Sequence, residues 1–195
     1  MEIIPAILTN DPVEFGELMR RIGESKKFGR VQIDFIDGEY AANESVKVSE
    51  CKSVKRYPEL KFDAHLMVTE RNINKYVQEA KNVGFDRIIA QMESISRPED
   101  FSALALDIHS PVEAIKPYLP KLKYVVVMSV EPGFGGQEFN KTTLDKIRQI
   151  GQIGRINGYK FKICVDGGVQ KEHLKILEEA GADEVAVGAR RVLEW

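Results

Sequence analysis

The sequence predicts an α/β fold in which eight parallel strands close into a (β/α)8 barrel, within one domain spanning 1–195. Short β-branched runs alternate with amphipathic helical stretches along the whole chain, which is typical of α/β proteins. The strand runs are almost continuously apolar, as in VVVM at 125–128, and this favours parallel strands that are buried on both faces. A chain of 195 residues suits a single core of this kind.

The first elements can be placed from their apolar runs and cap residues. Strands are predicted at 3–8, 31–36, 62–68, 87–92, 103–108, 124–130, 162–165 and 184–187. The first helix begins at Asp11-Pro12-Val13-Glu14, where an N-cap acid, a first-turn proline and a glutamate that reaches back to the cap occur together. This helix is expected to end near Ser25.

Three later helices are predicted from apolar stripes at helical spacing. The stripes are Ile73, Val77 and Ala80 before Gly84, Leu144, Ile147 and Ile150 after Asn140, and Leu174, Leu177 and Ala180 before Gly181. Only 94–102 separates strands four and five, and few residues follow strand eight, so we expect a short fourth helical unit and a truncated eighth helix. The outer faces of strands one and eight would then need a second chain or remain exposed, which favours a homo-oligomer.

Charge and cysteine usage restrict the partners and the compartment. A formal net charge of −2 gives no electrostatic reason to expect nucleic acid or an anionic membrane as a partner. The sequence shows neither an apolar run long enough to cross a bilayer nor the pattern of a signal peptide. Cys51 and Cys164 lie in a predicted helix and an apolar run, which fits reduced thiols and a cytoplasmic protein.

Two acids stand where strands end on opposite sides of the predicted barrel. Asp34 falls near the end of strand two and Asp166 at the end of strand seven. Opposed carboxylates allow one acid to take a proton from a carbon next to a carbonyl while the other returns a proton to the opposite face. Taken alone, each aspartate is more often a helix cap or a salt-bridge partner. Together with a histidine from a third strand, they favour catalysis.

That histidine is His65, in FDAHLMV, with Met67 on the same strand face. A single histidine at a strand end is usually only a hydrogen-bonded residue. Combined with Asp34 and Asp166 it makes an N/O set suited to a divalent ion. Gln32 is the fourth candidate ligand, although its neutral amide oxygen is a poor one. His109, in a loop that borders the site, and His173, in the middle of a predicted helix, are weaker candidates.

Glycine clusters follow the last three strands and predict an anion site. They are Gly133-Phe134-Gly135-Gly136, Gly167-Gly168 and Gly188-Ala189. Backbone N–H groups approach phosphate oxygens closely where no Cβ intervenes, and barrels often hold a phosphate in the loops after their last strands. One glycine pair would indicate only a turn, whereas three clusters at neighbouring strand ends favour a phosphate.

These motifs resemble those of the ribulose-phosphate 3-epimerase family over almost the whole chain. PAIL resembles the family's PSIL, VQIDFIDG its HVDVMDG, DAHLM its DVHLM, and MSVEPGFGGQ its MSVNPGFGGQ. VDGGV is similar to the strand that carries the family's second catalytic acid. The resemblance implies interconversion of ribulose 5-phosphate and xylulose 5-phosphate through an enediolate stabilised by a divalent metal (Zn, Fe, Mn or Mg). It makes Asp34 and Asp166 the acid/base pair and metal ligands, His65 a ligand, and Met67 and Met128 apolar neighbours of the enediolate. The three glycine clusters become the phosphate grip.

Several site positions depart from the family pattern. Gln32 replaces a metal-binding histidine, Ala6 replaces a serine that touches the substrate, and Ala189 replaces a serine whose amide would still serve. Losing one imidazole should weaken zinc more than a hard ion such as magnesium or manganese. The chain is therefore either an active sugar-phosphate epimerase or a relative that binds a ketose phosphate without epimerising it. A barrel lyase or decarboxylase is less favoured, because no lysine follows Asp34 or His65.

Overall fold

Eight parallel strands close into a barrel, as the sequence predicts. The computed structural model describes residues 1–195 apart from the side chain of Ser53. The strands are β1 (Glu2–Ile7), β2 (Arg30–Ile36), β3 (Lys61–Met67), β4 (Arg87–Gln91), β5 (Ala103–Leu106), β6 (Tyr124–Met128), β7 (Lys162–Asp166) and β8 (Glu184–Gly188). Their order around the barrel is their order in the chain, and β8 pairs with β1 to close it.

The strands are buried on both faces, which explains their continuous apolar runs. Val126 and Met128 belong to a cluster of mostly small side chains that fills the barrel interior. Val125 and Val127 point the other way, into the larger core between the strands and the surrounding helices. Alternate residues of the same strand thus pack into the barrel interior and against the outer layer of helices.

The first helix, α1 (Pro12–Ser25), begins and ends where the sequence predicts, but its cap differs in one contact. The Asp11 side chain accepts a hydrogen bond from the Val13 N–H at 2.8 Å. The predicted return contact from Glu14 is wrong: the Asp11 N–H donates to Thr9 Oγ1 at 3.2 Å, and Glu14 turns away to Thr9 and Arg190. Charged and hydroxyl partners at the carboxyl end of the barrel are better partners for this carboxylate than one backbone amide.

The remaining α-helices are α2 (Glu70–Val83), α3 (Val112–Ile115), α4 (Thr143–Asn157), α5 (Leu174–Ala180) and α6 (Ala189–Val192), and a 3₁₀ helix (Val48–Arg56) lies between β2 and β3. Glycines in the left-handed conformation, Gly84, Gly158 and Gly181, end α2, α4 and α5. Two 3₁₀ turns, Met92–Ser94 and Pro98–Asp100, replace the helix between β4 and β5, which confirms the short unit predicted there. His173 is not in the middle of a helix: it ends a 3₁₀ turn just before α5, where its ring lies against Phe139.

The short helix α6 and the residues after it cover the junction of β1 and β8 in part. Val192 of α6 is buried, and Leu193 and Trp195 pack against the outer core. A groove of about 490 Å³ stays open beside them, lined by residues that include Phe28 and Trp195. The homo-oligomer expected from this edge stays a prediction.

Among the described residues, no helix has the length and apolar character that crossing a membrane requires. Cys51 and Cys164 are buried free thiols.

Candidate active site

A cavity of about 660 Å³ opens at the carboxyl ends of the barrel strands. Parallel strands deliver their last side chains to one face of a barrel, which is why residues distant in sequence meet there. Of the residues singled out in the sequence, the lining contains Ala6, Asp34, His65, Met67, Met128, Gly133, Phe134, Gly135, Gly136, Asp166, Gly167, Gly168, Gly188 and Ala189. Gln32 is fully buried, one step below Asp34 on the same strand face. The chemical roles of these residues stay predictions.

Asp34, His65 and Asp166 meet at the floor of this cavity. His65 Nδ1 lies 3.2 Å from Asp34 Oδ1 and 3.5 Å from Asp166 Oδ2, so one ring nitrogen stands between the two acids. Asp34 and His65 are register partners on β2 and β3, whereas Asp166 comes from β7. The two carboxylates therefore reach the same point from different sides of the barrel.

Gln91 fixes the other side of the imidazole ring. Its Oε1 lies 3.1 Å from His65 Nε2, which orients the ring with Nδ1 toward the acids. Gln91 ends β4 and is fully buried. Our sequence analysis did not select it, although a polar residue at the end of the apolar strand RIIAQ was the available signal.

Gln32 joins the two acids through its amide nitrogen. Nε2 donates to Asp34 Oδ1 at 2.8 Å and to Asp166 Oδ2 at 2.6 Å. The amide oxygen of the same side chain is buried without a hydrogen-bond partner among the described residues. The amide thus presents its donor side to the acids, at the place where the family pattern has an imidazole.

Burial and charge act on the cluster in opposite directions. Burial raises the pKa of Asp34, and the charge of Asp166 adds to this rise while the His65 hydrogen bond opposes it. Burial alone would lower the pKa of His65, but Asp166 and Asp34 outweigh that effect and raise the pKa to about 10. The cluster therefore retains a proton near neutral pH.

The same cluster has donors that fit a divalent ion. Asp34, His65 and Asp166 each offer one ligand atom, and these atoms lie within 4.8 Å of one another. One imidazole nitrogen and two carboxylate oxygens suit manganese, iron, zinc or magnesium. Gln32 would add an amide oxygen only after its amide group turned half a rotation, because Nε2 faces the acids.

The predicted anion site lies beside this floor, in the loops after β6, β7 and β8. Gly168 has φ +64, and a Cβ there would lie 2.4 Å from the Phe139 backbone nitrogen, so the loop after β7 requires glycine at this point. The loop after β6 is tied to the loop after β2 by Asn43 Nδ2, which donates to the Gly133 carbonyl at 2.7 Å. His109 borders the region, as expected, through a contact with Glu131 of the cavity wall.

Two arginines that the sequence analysis did not select also line the cavity. Arg190 and Arg191 follow Gly188-Ala189 directly and form part of α6. Arg190 Nε donates to Glu14 Oε1 at 2.6 Å, and Arg191 Nη1 donates to the Val169 carbonyl at 3.0 Å. The adjacent pair of arginines after a glycine cluster was the signal available in the sequence.

Comparison with known proteins supports the resemblance seen in the motifs. A family model described as "Ribulose-phosphate 3 epimerase family" matches residues 2–192. A ribulose-phosphate 3-epimerase of Methanocaldococcus jannaschii is 33% identical, over 87% of this chain and 76% of the relative. One of Bacillus subtilis is 30% identical, over 97% of this chain and 91% of the relative.

Solved structures share the fold at low sequence identity. A 3-keto-L-gulonate-6-phosphate decarboxylase from Vibrio cholerae has a TM-score of 0.69 at 12% identity, covering 96% of this chain and 87% of its own. A tryptophan synthase complex from Pyrococcus furiosus has a TM-score of 0.67 at 19% identity, covering 99% of this chain and 88% of its own. At these identities the likeness supports the barrel fold and no particular activity.

Proposed function

The chain belongs to the ribulose-phosphate 3-epimerase family, and from that premise we propose that it interconverts D-ribulose 5-phosphate and D-xylulose 5-phosphate. The observation that carries the proposal is the meeting of Asp34 and Asp166, from β2 and β7, at His65 on the floor of the cavity. An epimerase needs two proton-transfer groups on opposite faces of one carbon. The delivery of the two acids from β2 and β7 supports such an arrangement around a bound substrate.

The proposed reaction uses the two acids in turn. One carboxylate removes the proton from C3; the electron pair of the broken C–H bond forms the C2–C3 double bond, and the C2 carbonyl oxygen takes the negative charge. The other aspartate, which begins as the acid, then protonates C3 from the opposite face. The pair exchanges roles for the reverse substrate. The raised pKa of Asp34 supports a resting state in which a proton is held within the cluster.

His65 and Gln32 support the acids in this scheme. His65 contacts both acids through one nitrogen and is held by Gln91 through the other, so it fixes the acids and, as a cation, places positive charge near the developing oxyanion. The Gln32 amide holds the acids from below. Asp34, His65 and Asp166 are also the residues that would hold a divalent ion. When bound, the ion would supply positive charge to stabilise the enediolate.

Solvent exchange at C3 tests the proposal without a coupled assay. In D₂O the chain should incorporate deuterium at C3 of D-ribulose 5-phosphate as xylulose 5-phosphate forms. Asp34→Asn and Asp166→Asn should each lower the rate by about 10³-fold, within the range for a lost acid/base group. Asp145→Asn, which removes an exposed acid of α4, is the control and should retain the rate. Absence of exchange with every divalent metal tested would contradict the proposal.

A second candidate function follows from Gln32. Because its amide binds the same carboxylate oxygens that would carry the protons, the site is also suited to holding a sugar phosphate without turnover. This binding-only protein would be thermally stabilised by ribulose 5-phosphate, would show no exchange at C3, and would be unaffected by a chelator. Measurable exchange by the natural chain excludes it.

A further inference from the structure

The cavity has an uneven charge distribution. Carboxylates line it at Glu14, Asp34, Glu44, Glu131 and Asp166. Among the described lining residues, the side chains that carry a permanent positive charge are Arg190 and Arg191. Both lie at the end of the cavity formed by the glycine pair after β7 and by Gly188-Ala189 at the end of β8. A doubly charged anion entering this cavity would be repelled where the exposed carboxylates line it and attracted by the arginines at this end.

Arg190 is held by an exposed ion pair that a stronger anion can replace. Its Nε and Nη2 contact Glu14 Oε1, which leaves the opposite edge of the guanidinium group outside that contact. The Arg190 side chain is 61% exposed, against 34% for Glu14. Exposed pairs of this kind contribute little to stability, so the guanidinium group can leave Glu14 at small cost.

Glu14 has a separate anchor that would remain after Arg190 left. Its Oε2 accepts a hydrogen bond from the Thr9 hydroxyl at 2.5 Å. The hydrogen bond from Arg190 and then that from Thr9 hold the pKa of Glu14 below its ordinary value, so the side chain stays a carboxylate. Glu14 is therefore a fixed negative charge that competes with any anion for Arg190.

We propose that Arg190 is a ligand of the substrate's phosphate group and that Glu14 holds this guanidinium group in place until the phosphate enters. The proposal rests on the proposed function and adds a specificity residue to it. Arg190 follows Gly188-Ala189 directly, and the next residue, Arg191, ties α6 to the loop that contains Gly168 through the Val169 carbonyl. A guanidinium group binds phosphate oxygens with two parallel donors, and a phosphate monoester carries more charge than the Glu14 carboxylate.

The alternative is that the Arg190–Glu14 pair only fastens α6 to α1. Binding of inorganic phosphate to the full chain, measured by titration calorimetry, separates the two explanations. A phosphate ligand requires that Arg190→Gln weaken phosphate binding by about tenfold or more, as for a lost hydrogen bond to a charged group. If Arg190 binds phosphate, Glu14→Gln should strengthen phosphate binding by about two- to fivefold. The variant removes the carboxylate that competes for Arg190, and an exposed ion pair of this kind contributes only a small free energy. The double variant should bind like Arg190→Gln alone.

Two variants keep this test independent of folding effects. Arg20→Gln breaks an exposed arginine–glutamate pair on α1, outside the cavity lining, and should leave phosphate affinity unchanged. Arg190→Lys keeps the charge and should recover part of the affinity. With D-ribulose 5-phosphate as substrate, Arg190→Gln should raise KM by a larger factor than it lowers kcat.

The phosphate-binding experiment tests the role of Arg190 whether or not the chain is an epimerase. Arg190-dependent phosphate binding without C3 exchange would contradict the proposed epimerase activity but support Arg190 as a ligand of phosphate. C3 exchange with phosphate affinity and KM unchanged in Arg190→Gln would overturn only the proposal that Arg190 binds phosphate. No measurable phosphate binding by the natural chain would overturn it as well.

Discussion

The amide of Gln32 shows how one residue changes what an otherwise familiar site can hold. A neutral imidazole at this point could give a lone pair to an ion, whereas Gln32 directs two N–H donors at the acids. Its oxygen is buried without a partner among the described atoms, and a buried unpaired acceptor costs about 1–3 kcal/mol. The arrangement weakens the site for any divalent ion, because the ion and the amide hydrogens need the same carboxylate oxygens. It weakens the site most for zinc, which also lacks a second imidazole ligand here.

Replacing Gln32 by histidine should therefore increase zinc binding. Gln32→His completes a set of two carboxylates and two imidazoles, so we expect zinc affinity to rise by about tenfold or more, at least as much as supporting residues of metal sites contribute. Competition with a chromophoric chelator measures the affinity, and elemental analysis measures the content after purification. Gln78→His, on an exposed part of α2, controls for zinc held by any added histidine. Equal zinc affinity in the natural chain and Gln32→His would mean that the site does not use this position.

Residues at strand ends were accessible to sequence reasoning, and residues whose contacts depend on barrel closure were not. Asp34, His65 and Asp166 could be predicted to meet because parallel strands end at one face. Glu14 was predicted as a helix-cap partner, yet its carboxylate pairs with Arg190, 176 positions away. That contact exists only because β8 pairs with β1, and no local pattern encodes it.

At the scale of elements, strands were predicted within two residues of their ends because each apolar run stops at a polar or glycine residue. Helices were predicted where an apolar stripe ends in glycine, as α2 does at Gly84. The segment between β4 and β5 offered no such stripe, and it folds into two 3₁₀ turns instead. Local pattern thus sets the elements, and long-range pairing sets the contacts between their loops.

The loop after β7 should depend on glycine more strongly than a helix does. Gly168→Ala places a Cβ 2.4 Å from the Phe139 backbone nitrogen at φ +64, so we expect a loss of about 1–3 kcal/mol in unfolding free energy and weaker phosphate binding. Gly16→Ala is the matched control: it lies inside α1 with nothing within 4 Å of the new Cβ, and it should stabilise by about 0.5–1 kcal/mol. Urea denaturation and phosphate titration measure both effects. Unchanged stability and phosphate affinity in Gly168→Ala would contradict the assigned loop geometry.

At the scale of the whole molecule, the end of the barrel opposite the cavity is closed by a charged network. Its members come from the early residues of six strands: Arg30, Asp63, Arg87, Tyr124, Lys162 and Glu184. The Arg87 guanidinium group lies 3.5 Å from the centre of the Tyr124 ring and donates to both Asp63 and Glu184. The network thus joins strands far apart in sequence and lies away from the acids, so it stabilises the barrel without entering the chemistry.

Glu184 is the member of the network whose replacement should change the unfolding free energy most clearly. Its side chain is 1% exposed and accepts hydrogen bonds from Arg87 at 2.9 Å, Tyr124 at 2.8 Å and Lys162 at 2.6 Å. Burial alone would raise its pKa, but the hydrogen bonds from Arg87 and Lys162 outweigh burial and lower it. A carboxyl whose pKa is lower in the folded chain contributes stability above its unfolded pKa, and that contribution is lost as the pH falls through the folded pKa.

Glu184→Gln should therefore destabilise the chain by about 1.5–3 kcal/mol at pH 7, because the mostly buried Arg87 and the more exposed Lys162 lose their shared anion. The difference from the natural chain should shrink as the pH falls below the ordinary glutamate pKa of 4.5, since the unfolded natural chain then takes up a proton that folded Glu184 takes up only at its lower pKa. Urea denaturation at pH 7, 5 and 3.5 measures this convergence. Glu17→Gln, which removes an exposed partner of Arg20, should leave the unfolding free energy nearly unchanged throughout. A difference that stays constant over this pH range would show that Glu184 acts through packing and not through its charge.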